Sequence, residues 1–256
     1  RIEREKMTQV TINLYQGMSH PCSYLAGQVA CMHVVDPNFR ISSGHYGRLL
    51  ESGFRRSGDM VYRPGCRECH ACIPARIRVN RFRPNRSQRR TLKNNSDIVI
   101  RSRNAEFDEQ HLALYRTYLA SRHADGEMSA STIADMRRFL VSDWCETILI
   151  EGWLGERLVL SAVTDVVDNA LSALYTYFDP DLPQRSLGTL GILQQIEACR
   201  NLGLRHLYLG YWIESCKKMR YKSDFSGLET RDQEGNWSLL GKQSKTTETG
   251  GIITCA

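Results

Sequence analysis

One sequence feature most restricts how this chain can fold. It consists of three apolar runs joined by short turns, followed by a helical segment and one more apolar run. The three runs are predicted strands, at residues 147–153, 158–167 and 171–178. An Asp-Pro-Asp-Leu-Pro break at residues 179–183 precedes a predicted helix at 188–202, which Gly203 ends, and a further strand at 206–209. Strands that alternate with helices in this way favour an α/β chain with a mixed sheet.

Two helical patterns, at residues 108–122 and 132–140, come before these strands. The resulting order of helix, helix, three strands, helix and strand resembles that of the GNAT acyltransferases. We therefore expect an α/β (α+β) fold with a GNAT-like acyltransferase core at residues 98–240, in which helices flank a mixed sheet. Residues 1–97 are expected to form a smaller N-terminal region that holds a cysteine cluster and a basic strip, and residues 241–256 a polar tail.

The basic strip extends from Arg76 to Arg103. It contains ten basic residues and one acid, a net charge of +9, whereas the complete chain carries +6. Part of the strip, residues 87–95, is a predicted basic helix with Ser87 as its N-cap. A neutral-to-acidic protein with one concentrated basic strip is typical of a polyanion binder, although a solvated basic face would show the same pattern.

Four cysteines are candidate metal ligands. The chain has nine cysteines, but neither a signal peptide nor an apolar run long enough to span a membrane is evident, so we expect a reducing, cytoplasmic environment and no membrane partner. The spacing Cys66-x-x-Cys69-x-x-Cys72 brings three thiols together, and Cys22 or His70 could supply a fourth ligand. The set predicts a structural zinc ion or an iron–sulfur cluster, and the alternative is reduced, unliganded cysteines.

A candidate anion-binding loop lies between the third strand and the helix that follows it. A guanidinium, two hydroxyls, a glycine and free helix N–H groups favour a phosphate here. Leu190 occupies the position of a small residue in the related GNAT loop, which argues against acetyl-CoA and for another phosphate-bearing donor. The residues of this loop are Arg185, Ser186, Leu187, Gly188 and Thr189.

Long segments of the chain closely resemble the bacterial leucyl-tRNA–protein transferases, also called aspartate/glutamate leucyltransferases, which are relatives of the arginyl-tRNA–protein transferases. The segments are CSYLAGQ (22–28), GFRRSGDMVYRPGCRECHACIPARI (53–77), FRPNRSQRRTLK (82–93) and the continuous stretch 175–222. The resemblance implies transfer of leucine from leucyl-tRNA to the N-terminal amine of proteins that begin with Asp or Glu, which marks them for degradation. No cofactor is needed, because the aminoacyl ester is already activated.

The sequence leaves two alternative functions open. Arginyl-tRNA could be the donor, or the chain could be a non-catalytic RNA-binding regulator that carries a metal or cluster.

On this resemblance we expect the aminoacyl-tRNA to contact the loop 185–189 and several aromatic and basic side chains. Aromatic groups stack on bases or ribose, and cations neutralise phosphate. The expected donor-site residues are Tyr175, Tyr177, Tyr211, Trp212, Lys217, Lys218 and Lys222. Arg86, Arg89 and Arg90 would hold the tRNA body.

Catalysis is expected to depend mainly on positioning, because the attacking amine belongs to the substrate. Asp179 and Tyr177 are the candidate catalytic residues, with Asp179 as a general base. The acidic side chain of the acceptor protein requires a cation, for which the candidates are Arg55, Arg56 and Arg63.

Overall fold

The computed structural model describes residues 10–122 and 131–241, and its centre is an eight-stranded mixed sheet. In spatial order the strands are β14 (Trp237–Leu239), β13 (Leu228–Arg231), β7 (Ile73–Arg78), β12 (His206–Trp212), β11 (Ala170–Phe178), β10 (Arg157–Val167), β9 (Thr147–Leu154) and β8 (Val99–Asn104). Neighbouring strands are antiparallel, except that β11 and β12 run parallel. The predicted mixed sheet and its three consecutive strands are confirmed.

Four helices accompany the sheet at the predicted places: α2 (Arg86–Asn94), α3 (Glu109–Arg122), α4 (Ile133–Leu140) and α5 (Leu187–Asn201). The structure also has α1 (Ser43–Glu51) and the short α6 (Lys217–Arg220). Helix α2 starts one residue earlier than predicted, and Asn85 rather than Ser87 is its N-cap. The reason is a reciprocal capping box, in which the Asn85 side chain accepts the Gln88 N–H and the Gln88 side chain accepts the Asn85 N–H, both at 2.9 Å. Within residues 10–122 and 131–241, no helix is both long and apolar enough to cross a membrane.

Helices cover both faces of the sheet. Along β10, Val163 packs into the cluster formed by α3 and α4, whereas the side chain of Ala162 lies opposite Gly191 of α5. Successive strand residues point to opposite faces, so α5 and the α3–α4 pair enclose the sheet between them. The core under α5 includes Ile192 and Ile196.

Strands β11 and β12 pair over only three residues and then diverge. The paired segments are 170–172 and 206–208, although β11 continues to Phe178 and β12 to Trp212. Directly after this segment each strand has a register shift against its other neighbour, which leaves Leu174 and Leu209 as extra residues. A β-bulge bends its strand, so the two bulges account for the divergence. We call the resulting opening the strand gap.

The N-terminal residues form two small sheets and also enter the large one. The first small sheet has the order β1 (Leu14–Gln16), β4 (Met32–Val35), β6 (Met60–Pro64) and β5 (Arg55–Ser57), and the second pairs β2 (His20–Pro21) with β3 (Val29–Ala30). Strand β7, from the same part of the chain, lies between β12 and β13 in the large sheet. The division at residue 97 stays a prediction, and all but the first residue of the expected tail lies outside the described residues.

A buried ion pair joins the small sheet to the large one. The Arg56 guanidinium on β5 and the Asp165 carboxylate on β10 have no exposed side-chain surface, and Arg56 Nε donates to Asp165 Oδ2 at 2.8 Å. Arg56 also donates to the carbonyls of Gly58 and Leu140 and to Thr147 Oγ1 at 3.0–3.2 Å. The expectation that Arg56 binds the acceptor protein is therefore wrong, because its donors are all engaged in the interior.

Replacing Arg56 should destabilise the protein strongly. Arg56→Leu leaves the buried Asp165 carboxylate without its charged partner, with only the hydroxyls of Tyr46 and Thr147 as donors, and loss of one member of a buried pair costs about 3–5 kcal/mol. Urea unfolding followed by circular dichroism measures the change. The exposed Arg48 on α1 provides a matched control, since Arg48→Leu should change the free energy of unfolding by less than about 0.5 kcal/mol. Equal effects of the two substitutions would contradict the role of the pair.

Candidate functional site

Arg55 fills the inner end of the strand gap. Its Nη2 donates to the carbonyl of Leu174, the bulged residue of β11, at 3.1 Å. On the β12 side, a side-chain carbon added at Gly210 would lie 2.7 Å from Arg55 Nη1, and Gly210 has a φ of +74°. Both the backbone conformation and the close approach therefore require glycine at this position. Arg55 was predicted to bind the acceptor because it is an arginine near the cysteines. That its side chain lies between β11 and β12, in the C-terminal half of the chain, is evident only from the tertiary structure.

Lys222 lies beside Arg55 and is almost completely buried. Its side chain belongs to the 3-10 helix Tyr221–Asp224 that follows α6, and its ammonium donates to the Tyr211 carbonyl. Burial, and secondly the charge of Arg55, lower the pKa of Lys222 to about 7. The predicted contact with phosphates on the outer surface does not fit this position, because the Lys222 Nζ is directed at the Tyr211 carbonyl beside the strand gap. Lys217 and Lys218 are exposed on α6, as a phosphate contact requires.

Aromatic side chains surround the open side of the strand gap. The rings of Tyr118 and Phe139 lie 6.3 and 5.7 Å from that of Tyr175 on β11. From the β12 side Tyr221, which is partly exposed, approaches the same group, and partial desolvation followed by the proximity of Tyr118 raises its pKa. Tyr175 thus lies at the gap beside Tyr118, Phe139 and Tyr221, and its contact with the donor stays a prediction.

Tyr177 and Trp212 lie elsewhere. Tyr177 is fully buried between β11 and α3, with its ring 5.4 Å from that of Tyr115, and burial raises the pKa of its hydroxyl. Trp212 is 5% exposed and belongs to the core under α5. Neither side chain reaches a surface that a substrate could contact, so a catalytic Tyr177 and a stacking Trp212 are not supported. Trp212 points to the α5 face because it is adjacent to Tyr211 on the strand, whereas Tyr177 shares the face of Tyr175 and is covered by α3.

Asp179 has the environment of a turn residue. Its carboxylate pairs with Arg157 at 3.0 Å and accepts the Asp181 N–H at 2.9 Å, and the residue is 6% exposed. Both oxygens of this carboxylate are engaged, one by the turn backbone and the other by Arg157. The expectation that Asp179 acts as a general base is therefore not supported.

The predicted anion loop has an unexpected ion pair. Arg185 binds Asp97 through both terminal nitrogens, at 2.8 and 2.9 Å, and its carbonyl accepts from the Asn95 side chain at 2.8 Å. Arg185 thus ties the start of α5 to the end of α2 and is not available to a phosphate while it holds Asp97. The loop's hydrophobic member is buried as well, since Leu187 is 1% exposed in a core cluster with Leu190.

The backbone of the loop still offers an anion site. Ser186 has a left-handed φ of 53°, and its side chain makes no capping hydrogen bond, so it does not occupy the N–H groups of the first turn of α5. A side-chain carbon at Gly188 would lie 3.1 Å from the Phe178 ring, so glycine allows α5 to approach the end of β11. Thr189 follows in the same turn and is half-buried.

The basic helix α2 lies next to both the loop and the segment that carries Lys222. The side chains of Asn85 and Gln88 donate to the Asp224 carbonyl at 3.2 and 3.3 Å, and Asn95 at the other end contacts Arg185. The outward face of α2 carries the predicted tRNA-binding residues Arg86, Arg89 and Arg90, which are all exposed. The described residues therefore bring one end of the basic strip to the border of the strand gap.

A cavity of about 740 Å³ opens between the small sheets and the β12–β7–β13 part of the large sheet. Arg55 and Tyr211 belong both to this cavity and to the strand gap, and the Tyr211 hydroxyl donates to the Gly53 carbonyl at 3.0 Å. Arg63 lines the cavity with its guanidinium 4.9 Å from the Phe54 ring, and Arg231 lines the opposite wall. No role was predicted from the sequence for Arg231 or the segment that contains it.

The four predicted metal ligands line the same cavity. The pKa of the Cys72 thiol is raised to about 12, first by burial and then by the proximity of Cys22, Cys66 and Cys69. Of the residues that the structure describes, no group of three or more His, Cys, Asp or Glu side chains has the arrangement of a metal site. The effect on the Cys72 pKa shows that the four thiols lie near one another, and metal binding stays a prediction.

Comparison with known proteins extends over most of the chain. Residues 20–90 match the family described as "Arginine-tRNA-protein transferase, N terminus", and residues 110–232 match its C-terminal counterpart. A protein from Alkalilimnicola ehrlichii named aspartate/glutamate leucyltransferase is 48% identical over 88% of this chain and 94% of its own length. A protein of the same name from Alcanivorax borkumensis is 42% identical over 94% of this chain and 98% of its own length.

Among solved structures, L-PGS from Bacillus licheniformis aligns with 60% of this chain and 52% of its own, with 11% identity and a TM-score of 0.41. At that level the likeness does not define a shared fold. The sequence matches are far stronger, and they cover both the part that supplies Arg55 and the part that supplies the strand gap. The chain therefore belongs to the arginine-tRNA-protein transferase family and, within it, to the aspartate/glutamate leucyltransferases.

Proposed function

We propose that this protein transfers leucine from leucyl-tRNA to the N-terminal amine of proteins that begin with aspartate or glutamate, and so marks them for degradation. The observation that carries the proposal is the 48% identity to a named aspartate/glutamate leucyltransferase over 88% of the chain. It is supported by a cavity with arginine side chains that meets an aromatic and cationic strand gap at Arg55 and Tyr211. We also propose that the core is GNAT-like, because two bulged parallel strands diverge beside the start of α5.

The donor ester would enter the strand gap from its aromatic side. Tyr118, Tyr175 and Tyr221 would pack against the terminal adenosine and the leucyl side chain. The first turn of α5 would receive a phosphate of the acceptor end, and Lys217, Lys218 and the arginines of α2 would contact phosphates farther along the tRNA. Measuring KM for leucyl-tRNA against salt concentration tests these contacts, since KM should rise steeply with salt.

The same surroundings favour leucine over arginine as the transferred residue. Arg55 is a half-buried cation beside the gap, and Phe139 and Tyr175 provide apolar surface. An arginyl side chain would bring a second positive charge close to Arg55, which is unfavourable where the effective dielectric constant is low.

In the reaction, the acceptor amine attacks the ester carbonyl carbon of leucyl-tRNA. A C–N bond forms, the ester C–O bond breaks, and the ribose oxygen leaves with a proton that the amine has lost. We propose that the neutral amine of Lys222 accepts this proton and returns it to the ribose oxygen, and that Arg55 stabilises the negative oxygen of the tetrahedral intermediate. Positioning both substrates contributes most, and can be worth roughly 7–11 kcal/mol.

A transfer assay tests the activity. Purified protein is mixed with leucyl-tRNA and peptides that differ only in beginning with Asp, Glu, Asn or Ala, and peptide mass is measured. We expect one leucyl residue to be added to the Asp and Glu peptides, and little addition with arginyl-tRNA as donor. Intact tRNA binding without any mass gain would instead indicate a non-catalytic RNA-binding protein.

Replacing Lys222 should strongly reduce transfer. In the wild type kcat should rise with pH through about 7, because Lys222 accepts a proton only when it is neutral. Lys222→Met should lower kcat by about 10²- to 10⁴-fold and remove this pH dependence. The urea midpoint is measured in parallel, because the substitution also removes the donor to the Tyr211 carbonyl.

The exposed Lys218 on α6 provides the control. Lys218→Met should leave kcat and its pH profile unchanged and affect at most KM for leucyl-tRNA. A Lys222→Met enzyme that retains wild-type kcat and the same pH profile would exclude the proton-transfer role, whatever its stability.

We also propose that Cys22, Cys66, Cys69 and Cys72 hold a structural zinc ion or an iron–sulfur cluster. The donor set fits such a group, because four neighbouring thiols can bind as thiolates once a cation replaces their protons. The group would stabilise the N-terminal cavity wall. Metal analysis and an absorption spectrum of freshly purified protein should show about one zinc, or iron with sulfide, per chain, and Cys69→Ser should reduce that content. The absence of both zinc and iron from the wild-type protein would contradict the proposal.

A further inference from the structure

The cavity of about 740 Å³ is lined by three arginines, Arg55, Arg63 and Arg231. Among them Arg231, at the end of β13, has the fewest partners in the described part of the chain. The carbonyl of Leu174 and the Tyr211 ring occupy Arg55, and the Phe54 ring occupies Arg63. The Nε atom of Arg231, by contrast, is buried and has no hydrogen-bond partner among the residues that the structure describes. A buried N–H group without a partner costs about 1–3 kcal/mol, so a partner supplied by a bound molecule would recover that cost.

Neighbouring acidic groups do not neutralise Arg231. The Asp232 carboxylate accepts hydrogen bonds from the backbone and side chain of Asn236, at 2.7 and 3.3 Å, and the backbone bond lowers its pKa. Glu234 also lines the cavity but is exposed. Within the described ranges, neither carboxylate comes within 4.0 Å of the Arg231 guanidinium.

Two glycine turns leave room for the Arg231 side chain. A side-chain carbon at Gly235, which has a φ of +97°, would lie 2.8 Å from Arg231 Nη2. A side-chain carbon at Gly53, which has a φ of +84°, would lie 3.9 Å from Arg231 Cδ. Glycine at these positions thus allows the backbone of both turns to lie close to Arg231.

Gly53 also connects Arg231 to the strand gap. Its carbonyl accepts the hydrogen bond from the Tyr211 hydroxyl, and the Tyr211 carbonyl accepts from Lys222. A short chain of contacts therefore leads from Arg231 to the group that would take the proton from the acceptor amine.

We propose that Arg231 binds the side-chain carboxylate of the acceptor's first residue and determines the selectivity for acidic N-termini. This inference rests on the proposed leucyl transfer. A carboxylate satisfies the buried Nε–H and one terminal N–H of a guanidinium at once, which gives a charged and planar recognition. An uncharged side chain of the same shape lacks the second acceptor oxygen and the charge.

The test compares peptides that begin with Asp and Asn at saturating leucyl-tRNA. Arg231→Gln should lower kcat/KM for the Asp peptide by roughly 10- to 100-fold and that for the Asn peptide much less, so the ratio should collapse. Arg231→Lys should restore part of the preference, because it keeps the charge but loses the planar fork. The exposed Arg205→Gln variant should keep the wild-type ratio.

The outcomes separate the two proposals. If wild-type protein transfers leucine to the Asp peptide and Arg231→Gln keeps the full preference for Asp over Asn, the assignment of Arg231 is wrong and leucyl transfer stands. If the wild type transfers nothing, leucyl transfer itself fails. A variant that loses activity equally toward both peptides, with an unchanged urea midpoint, would also contradict a role in selectivity.

Discussion

The divergence of β11 and β12 is the constraint on which the rest of the site depends. Two parallel strands that separate after three paired residues leave backbone carbonyls without a strand partner, and buried carbonyls require donors. The donors are two basic side chains, Arg55 for the Leu174 carbonyl and Lys222 for that of Tyr211. The opening thus acquires positive charge in a partly buried setting, where an electrostatic interaction with a developing oxyanion is stronger than in water.

The N-terminal region is what places the first of these cations. Arg55 and Arg56 are successive residues of β5, so their side chains leave the strand in opposite directions. Arg56 enters the interior and pairs with Asp165, while Arg55 enters the strand gap. One buried ion pair therefore fixes the strand that presents the functional arginine. The cysteine-containing region and the strand-rich region therefore build the site together.

Several arginines and acids that look equivalent in the sequence have different partners in space. Arg185 holds Asp97, Arg56 holds Asp165 and Arg157 holds Asp179. Their partners come from remote parts of the chain, and local pattern gives no sign of them. The same limit explains why the predicted roles of Tyr177 and Trp212 are not supported. Aromatic residues near a strand end suggest contacts with a substrate, but both side chains pack into the core.

The sequence by itself determined the α/β class, the three consecutive strands, the helix after the Asp-Pro break, the exposed basic helix and the family. Periodicity, turn residues and continuous motifs are local properties, and local properties can be read along the chain. Only the tertiary structure decided which charges are free, because that depends on pairing across long sequence distances. It brought Arg55 into the gap between β11 and β12, buried Lys222 beside it, and left Arg231 in the cavity with an unpaired donor.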